Sequence, residues 1–237
     1  MNLILLDDTD FLDAHHARIS DTRRIRHLRE IHGATIGDPL IVGQRNGYIG
    51  QARLSRLADD HAIVEIEQLD QPPPPSLDIE LILALPRPRM LARTLEHVTA
   101  MGVKGITLLH TRRVEKSYWQ SPELTPDKVR QHLTLGLEQA RDTRYPDVIM
   151  EPRFKPFVED RLPARLEERH GLLAHPGMPE ACPHGAASPT TLIIGPEGGF
   201  IDYEVDKLLD AGCQGIHMGP RILRVETAVI ALLARLA

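Results

Sequence analysis

Two short runs near the C-terminal end of the chain hold residue types that could build a ligand pocket. The first is Ile193-Ile194-Gly195-Pro196-Glu197-Gly198-Gly199-Phe200, and the second is Met218-Gly219-Pro220-Arg221-Ile222-Leu223-Arg224-Val225-Glu226-Thr227-Ala228. Each follows a short apolar stretch that reads as a buried strand, and each leads into a helical pattern. Ligands of open α/β sheets bind beyond the carboxyl ends of the strands, so two such exits suggest one pocket. The first run is not a phosphate loop: GxxxxGK(S/T) and GxGxxG are both missing. Pro196 also removes a backbone N–H, and Glu197 puts a negative charge where a phosphate would sit. A flat cationic or neutral ligand, approached closely by glycine backbone, fits better. A side chain at Gly198 is then expected to fill ligand space. The plainer alternative is that Gly198 and Gly199 only shape a turn. The twelve histidines show no His-x3-His or HExxH spacing, and there is no GxSxG elbow. No catalytic metal is expected, nor a serine hydrolase of that type.

Behind these runs lies an alternation of strand and helix patterns. Leu77–Leu85 reads as a strand. Arg89–Met101 reads as a helix with Leu91, Leu95 and Val98 on one face and a stop at Gly102. Ile106–Leu109, Val148–Met150 and Leu172–Ala174 read as further strands. Thr125-Pro126-Asp127 opens a helix that runs to about Arg141. Residues 156–169 have helical spacing weakened by Pro163, and 176–189 read as a loop. Asp202 is placed to cap a helix ending at Gly212, and a helix apolar nearly all round starts near Val225. This order predicts an α/β domain with a mostly parallel sheet. Residues 1–71 instead read as a small β-rich domain. Met1–Leu6 is its first strand, and Asn46-Gly47 is the centre of a hairpin, expected as a type I′ turn with φ > 0 at both residues. Gln71-Pro72-Pro73-Pro74-Pro75-Ser76 is a stiff linker between the two.

The pairing of IGPEGGF with GPRILRVETA resembles the C-terminal half of the RsmE family, 16S ribosomal RNA (uracil-N3)-methyltransferases of the SPOUT superfamily. The resemblance implies an α/β fold in which a PUA-like RNA-binding β-barrel domain (1–71) precedes a SPOUT-type trefoil-knotted methyltransferase domain (77–237). It implies S-adenosylmethionine as methyl donor, a homodimer, and 16S ribosomal RNA or the small ribosomal subunit as partner. The donor pocket would draw on Ala174, His175, Ile194, Gly195, Glu197, Gly198, Gly199, Met218, Gly219, Ile222 and Leu223. Glu197 would take a ribose hydroxyl or lie near the sulfonium charge; alternatively it complements the helix N-terminus after Phe200. Arg221 and Arg224 would face the uracil oxygens, and Glu226 would act as base or hold an arginine in place. The alternative is a structural Arg–Glu pair at the start of the last helix, which would be either deeply buried or a dimer interface.

Composition bounds these readings. The chain has 237 residues, 42% of them hydrophobic and 26% charged, with a formal net charge of −5, so RNA contact must come from local patches. Cys182 and Cys213 are the only cysteines, which points to a reducing, cytoplasmic setting without a disulfide framework. Met1–Leu6 is too short for a signal or membrane helix, so no membrane association is expected. Arg18, Arg23, Arg24, Arg26 and Arg29 stand against the single acid Asp21, with His27 among them. This cluster is expected to hold an RNA backbone, unless it is only a solvated helix face. A second basic and aromatic run, Arg112-Arg113-Val114-Glu115-Lys116-Ser117-Tyr118-Trp119, adds Arg112, Arg113 and Lys116 as candidate RNA contacts. The family usually reads EQ(S/C)GR where this chain has Glu138-Gln139-Ala140-Arg141-Asp142, so an arginine replaces the glycine and an aspartate the arginine. That departure puts the RNA target in doubt, and an RNA-binding module without catalysis or a nucleotide-dependent enzyme of doubly wound fold remain as alternatives.

Overall fold

The computed structural model describes every residue except Met1, His32 and Ala187. It divides into two units: Met1–Pro75 with Thr134–Tyr145, and Ser76–Leu133 with Pro146–Ala237. Met1, part of the expected first strand, lies outside the described residues.

The first unit begins with strands β1 (Ile4–Leu6) and β2 (His16–Ile19) and a short helix α1 (Thr22–Arg26) that runs on into a π-helical turn, His27–Ile31. Strands β3 (Pro39–Gln44), β4 (Ile49–Leu57) and β5 (Ala62–Gln71) complete it. The sheet order is β1-β3-β4-β5-β2, with β1 parallel to β3 and the other pairs antiparallel. Alternate residues such as Ala52, Leu54, Val64 and Ile66 turn inward onto Leu6, Ile19 and Leu28, as the two-residue period of a strand requires. The β3–β4 connection departs from the expected type I′ turn. Only Asn46 has a positive φ, 56°, and Gly47 N–H donates to the Gln44 carbonyl at 2.9 Å. A single positive φ at the third position marks a type II turn. The reason is tertiary. Asn46 N–H donates to the Thr143 carbonyl at 2.8 Å, Thr143 Oγ1 to the Gly47 carbonyl at 2.5 Å, and Tyr145 N–H to Asn46 Oδ1 at 2.9 Å.

The second unit starts at β6 (Leu77–Ala84), directly after the proline run. Helix α2 (Pro88–Ala100) buries Leu91, Leu95 and Val98 as its spacing predicts, and Gly102 follows at φ 89°. Next come β7 (Val103–Leu109), short 3-10 turns at Lys116–Gln120 and Pro122–Leu124, helix α3 (Pro126–Ala140) and β8 (Asp147–Glu151). The helix expected across 156–169 is broken into α4 (Phe154–Pro156), a π-helical turn (Phe157–Arg161) and α5 (Leu162–Leu166). Pro163 has no N–H to give, and Leu162 N–H reaches back five residues to Phe157. Strand β9 (His170–Ala174) leads to a two-residue strand β10 (Glu180–Ala181) inside the expected loop; it pairs with Ile216 and His217, and Gly215 beside them leaves room for the Met178 thioether. Strand β11 (Thr190–Ile194), helix α6 (Asp202–Asp210), strand β12 (Gln214–His217) and helix α7 (Val225–Leu236) finish the unit. All seven strands run parallel in the order β10-β12-β9-β11-β6-β7-β8. Strand β11 is buried at every position, as a central parallel strand should be. The last helix buries Val225, Val229, Leu232, Leu233 and Leu236, while Ala228 and Ile230 are half-buried.

The sequence assigned all of 77–237 to the second domain, yet Thr134–Tyr145 belongs to the first unit. Leu137 and Tyr145 pack there with Leu3, Leu5, Ile41 and Ile49. Glu138, 2% exposed, takes Arg23 at 2.8 Å and Arg24 at 3.1 Å. Removing one partner of such a buried pair typically costs about 3–5 kcal/mol, because the other charge is stranded. Asp142, which stands where the family has an arginine, is buried too and accepts Arg144 N–H at 2.9 Å. Between them Arg141 sits one residue past the helix with φ 55°, and Asp142 N–H closes the cap on the Leu137 carbonyl at 3.0 Å. This left-handed position suits glycine, and a side chain there costs about 1 kcal/mol. Arg141→Gly should therefore raise the melting temperature by about 2–4 °C. An unchanged or lower transition in differential scanning calorimetry would show that the arginine recovers its strain through other contacts.

Candidate functional site

The carboxyl ends of β9, β11 and β12, together with the segment after β6, surround a cavity of 790 Å³. That is ample for a ligand of nucleoside size. Ala174 and His175 come from the β9 exit, Ile194, Gly195, Glu197, Gly198 and Gly199 from β11, and Met218, Gly219, Ile222 and Leu223 from β12. Every residue that the sequence assigned to a donor pocket thus lines one cavity. Arg221, Arg224 and Glu226 line it as well, and among the described residues they form no ion pair with one another. The structural Arg–Glu pair left open by the sequence is not formed. Glu226 lies in the first turn of α7, and Arg224 caps that helix with an extended backbone just before it begins.

Each glycine of the first run has its own local reason. A Cβ on Gly195 would lie 3.0 Å from the Phe200 ring, which is buried beneath the loop. Gly199 turns the chain at φ 73° and donates to the Pro196 carbonyl at 2.7 Å. A Cβ on Gly198 would lie 3.1 Å from Arg113 Cδ, a tight contact with a long side chain, and Gly198 also lines the cavity. Glu197 does not complement the helix after Phe200. Its carboxylate accepts Arg87 N–H at 3.1 Å, at the entrance to α2. The helix-complementing role left open as the alternative for Glu197 falls to Glu204, a buried acid that accepts Ile201 N–H at 3.1 Å and Arg112 N–H at 2.6 Å. Ile201 stands at the cap position where Asp202 was expected. His217, absent from the sequence-based set, lines the cavity and accepts Gly219 N–H on Nδ1 at 2.9 Å, which leaves only Nε2 free to carry a ring proton in the neutral imidazole.

The RNA methyltransferase domain family matches residues 73–237 of this sequence. The chain belongs to the RsmE family of RNA methyltransferases. It is 26% identical to the ribosomal RNA small subunit methyltransferase E of Treponema pallidum, over 99% of this chain and 90% of that protein. Among solved structures it resembles the enzyme of the same name from Neisseria gonorrhoeae bound to S-adenosyl methionine, at 21% identity, TM-score 0.73, and 99% and 95% coverage. It also resembles a methyltransferase of Legionella pneumophila in complex with the same cofactor, at 22% identity, TM-score 0.76, and 98% and 95% coverage.

Within this RsmE-family chain the expected RNA contacts separate into three groups. Arg24 is turned inward with its side chain 10% exposed, and Arg23 shares Glu138 with it, so these two hold the first unit together. Arg18, Arg26, His27 and Arg29 lie at or near the surface, with Arg18 3.8 Å from Asp60 and Arg29 2.8 Å from Asp59. The run of charge is therefore partly neutralised by acids that are distant in sequence. In the second unit Arg112, Arg113 and Lys116 are all exposed, and Arg113 also lines the cavity. Arg87 and Met90 also line it without having been singled out. Their signal was present: Arg87 follows strand β6 and immediately precedes Pro88 at the first position of α2, another strand exit at the same edge of the sheet.

Trp119, the sole tryptophan, reports on the rim. Its indole N–H donates to His110 Nδ1 at 2.9 Å, directly after β7. Burial pushes His110 below its ordinary range and Lys116 adds to this, against the opposing pull of Glu204. A lowered folded value means that the neutral ring stabilises the fold at pH above the ordinary value of 6.5, and that this contribution is lost as pH falls through the folded value. Tryptophan emission should change on acidification with a midpoint below about 6.5, and His110→Phe should remove the transition. A midpoint at or above that value contradicts the assignment.

Proposed function

We propose that this chain transfers a methyl group from S-adenosylmethionine to N3 of a uridine in 16S ribosomal RNA. The observation that carries this reading is the gathering of both glycine-rich strand exits with Arg221, Arg224 and Glu226 around one cavity. Relatives named ribosomal RNA small subunit methyltransferase E support the RNA, and neighbours solved with the donor support the cofactor. The cavity suits that donor. Apolar side chains of Ile194, Ile216, Leu223 and Leu232 offer a face for a flat base, and Glu197 and Glu226 supply negative charge for a cation. When bound, the donor supplies an electrophilic methyl group.

The chain's residues then have to make a poor nucleophile reactive. Uracil N3 holds a proton until a base takes it, and Glu226 is the carboxylate assigned to accept it. The anion that forms spreads over N3 and the two ring oxygens, where Arg221 and Arg224 stabilise it. The walls of the cavity align the two reactants, the largest saving available to a two-substrate reaction.

The same reading takes the second unit as a SPOUT-type trefoil-knotted methyltransferase domain, supported by a strand order in which β11 lies between β9 and β6. It takes the first unit as a PUA-like RNA-binding domain, with Pro72–Ser76 as the linker. It also takes the working form as a cytoplasmic homodimer. Ile222, 85% exposed at the cavity, supports a second copy as cover. Among the described residues no helix is long and apolar enough to cross a membrane, and no cluster of three His, Cys, Asp or Glu would hold a metal ion.

Nucleoside mass spectrometry of ribosomal RNA from a deletion strain tests the target. N3-methyluridine should disappear and return with the wild-type gene but not with Arg224→Ala. Its persistence while another methylated nucleoside is lost would refute the uridine assignment. The RNA-facing patch has a separate test. Replacing Arg18, Arg26 and Arg29 together with alanine should weaken RNA binding and reduce the slope of log affinity against log salt by about 2. An unaltered slope would make the patch only a solvated face.

A further inference from the structure

We propose that Arg113 is a positioning residue for the donor pocket, a strap that fixes the Gly198–Phe200 loop from across the sheet edge. The inference rests on the reading of the cavity as the S-adenosylmethionine site, and it replaces the expectation that Arg113 contacts RNA.

Arg113 Nη1 donates to the Gly198 carbonyl and, at 3.4 Å, to the Phe200 carbonyl. One guanidinium nitrogen therefore serves two loop carbonyls, closely at Gly198 and at the outer limit of a hydrogen bond at Phe200. A second tie runs beside it: Glu204 binds Arg112 N–H at 2.6 Å and Ile201 N–H at 3.1 Å. The two crossings join the segment after β7 to the segment after β11. In the sheet these strands are not neighbours, because β6 lies between them. The strap thus spans the β6 exit, where Glu197 binds Arg87 N–H at 3.1 Å. Three adjacent exits are locked into one edge, and the glycines of the loop, which have little conformational preference of their own, acquire a single shape. Gly198 is coupled to the strap, since a Cβ there would sit tightly against Arg113, 3.1 Å from its Cδ.

Calorimetric titration of the full-length chain with S-adenosylmethionine tests the strap. Arg113→Ala should weaken donor affinity about tenfold, as expected for the loss of a charge-assisted pair of hydrogen bonds. The donor KM should rise in parallel, with kcat at saturating donor kept within roughly twofold. Arg113→Lys should recover part of the loss, because an ammonium reaches one carbonyl. Gly198→Ala should weaken the donor in the wild type and do so much less in the Arg113→Ala background, since the obstructed side chain is gone. Donor affinity unchanged in a folded Arg113→Ala protein overturns the strap while leaving the methyltransferase reading intact. Unchanged donor affinity with weaker RNA binding and a flatter salt dependence makes Arg113 an RNA contact instead. A wild-type chain that binds no donor overturns both readings.

Discussion

Seven parallel strands deliver their carboxyl ends to a single edge of the sheet, and the backbone groups of the loops leaving that edge need partners beyond the strand ladder. The second unit answers this constraint with side chains that reach from one exit to the next. Glu197 serves the N–H that opens α2, Glu204 serves two N–H groups on different loops, and Arg113 serves two carbonyls. The pocket is what remains between exits held apart in this way. On the β6, β7 and β11 side its walls are loops tied to one another by these side chains.

Two buried carboxylates do comparable work in different units. Glu204 holds backbone donors at the cavity edge, while Glu138 holds Arg23 and Arg24 inside the first unit. Neither is exposed, and each is offset by several donors, the condition under which a buried charge is tolerated. Glu138 also explains why the end of α3 counts with the first unit although it follows the linker in sequence. Leu137 supplies apolar contact on the same turn, and the strained Arg141 ends the helix so that Thr143 and Tyr145 can bind the β3–β4 loop. The departure from the family pattern at 141–142 thus acts on helix termination and on a buried aspartate.

Much of this was legible in the sequence. The alternation after Ser76, the proline boundary before it, the burial of Leu91, Leu95 and Val98, and both glycine-rich exits follow from local pattern. Periodicity and turn residues are properties of neighbouring positions, so a single chain displays them. The residues that the family resemblance assigned to the donor pocket and to catalysis all line one cavity, because all parallel strand exits face one way.

What tertiary structure alone decided was the fate of individual charges. Sequence shows five arginines near Asp21 as one cluster, but Glu138 lies more than a hundred positions away and takes two of them into the interior. Arg113 looks like part of a basic, aromatic surface run until the sheet order brings the β11 loop within reach of it. Glu197 reaches across the edge to Arg87 N–H, while Glu204, which no local motif singles out, holds Ile201 N–H at the start of its own helix and Arg112 N–H across the edge. The Asn46-Gly47 turn changes type once Thr143 and Tyr145 compete for its polar groups. Local pattern sets where the chain turns. Which partner a long or charged side chain finds depends on distances that exist only after the strands are ordered.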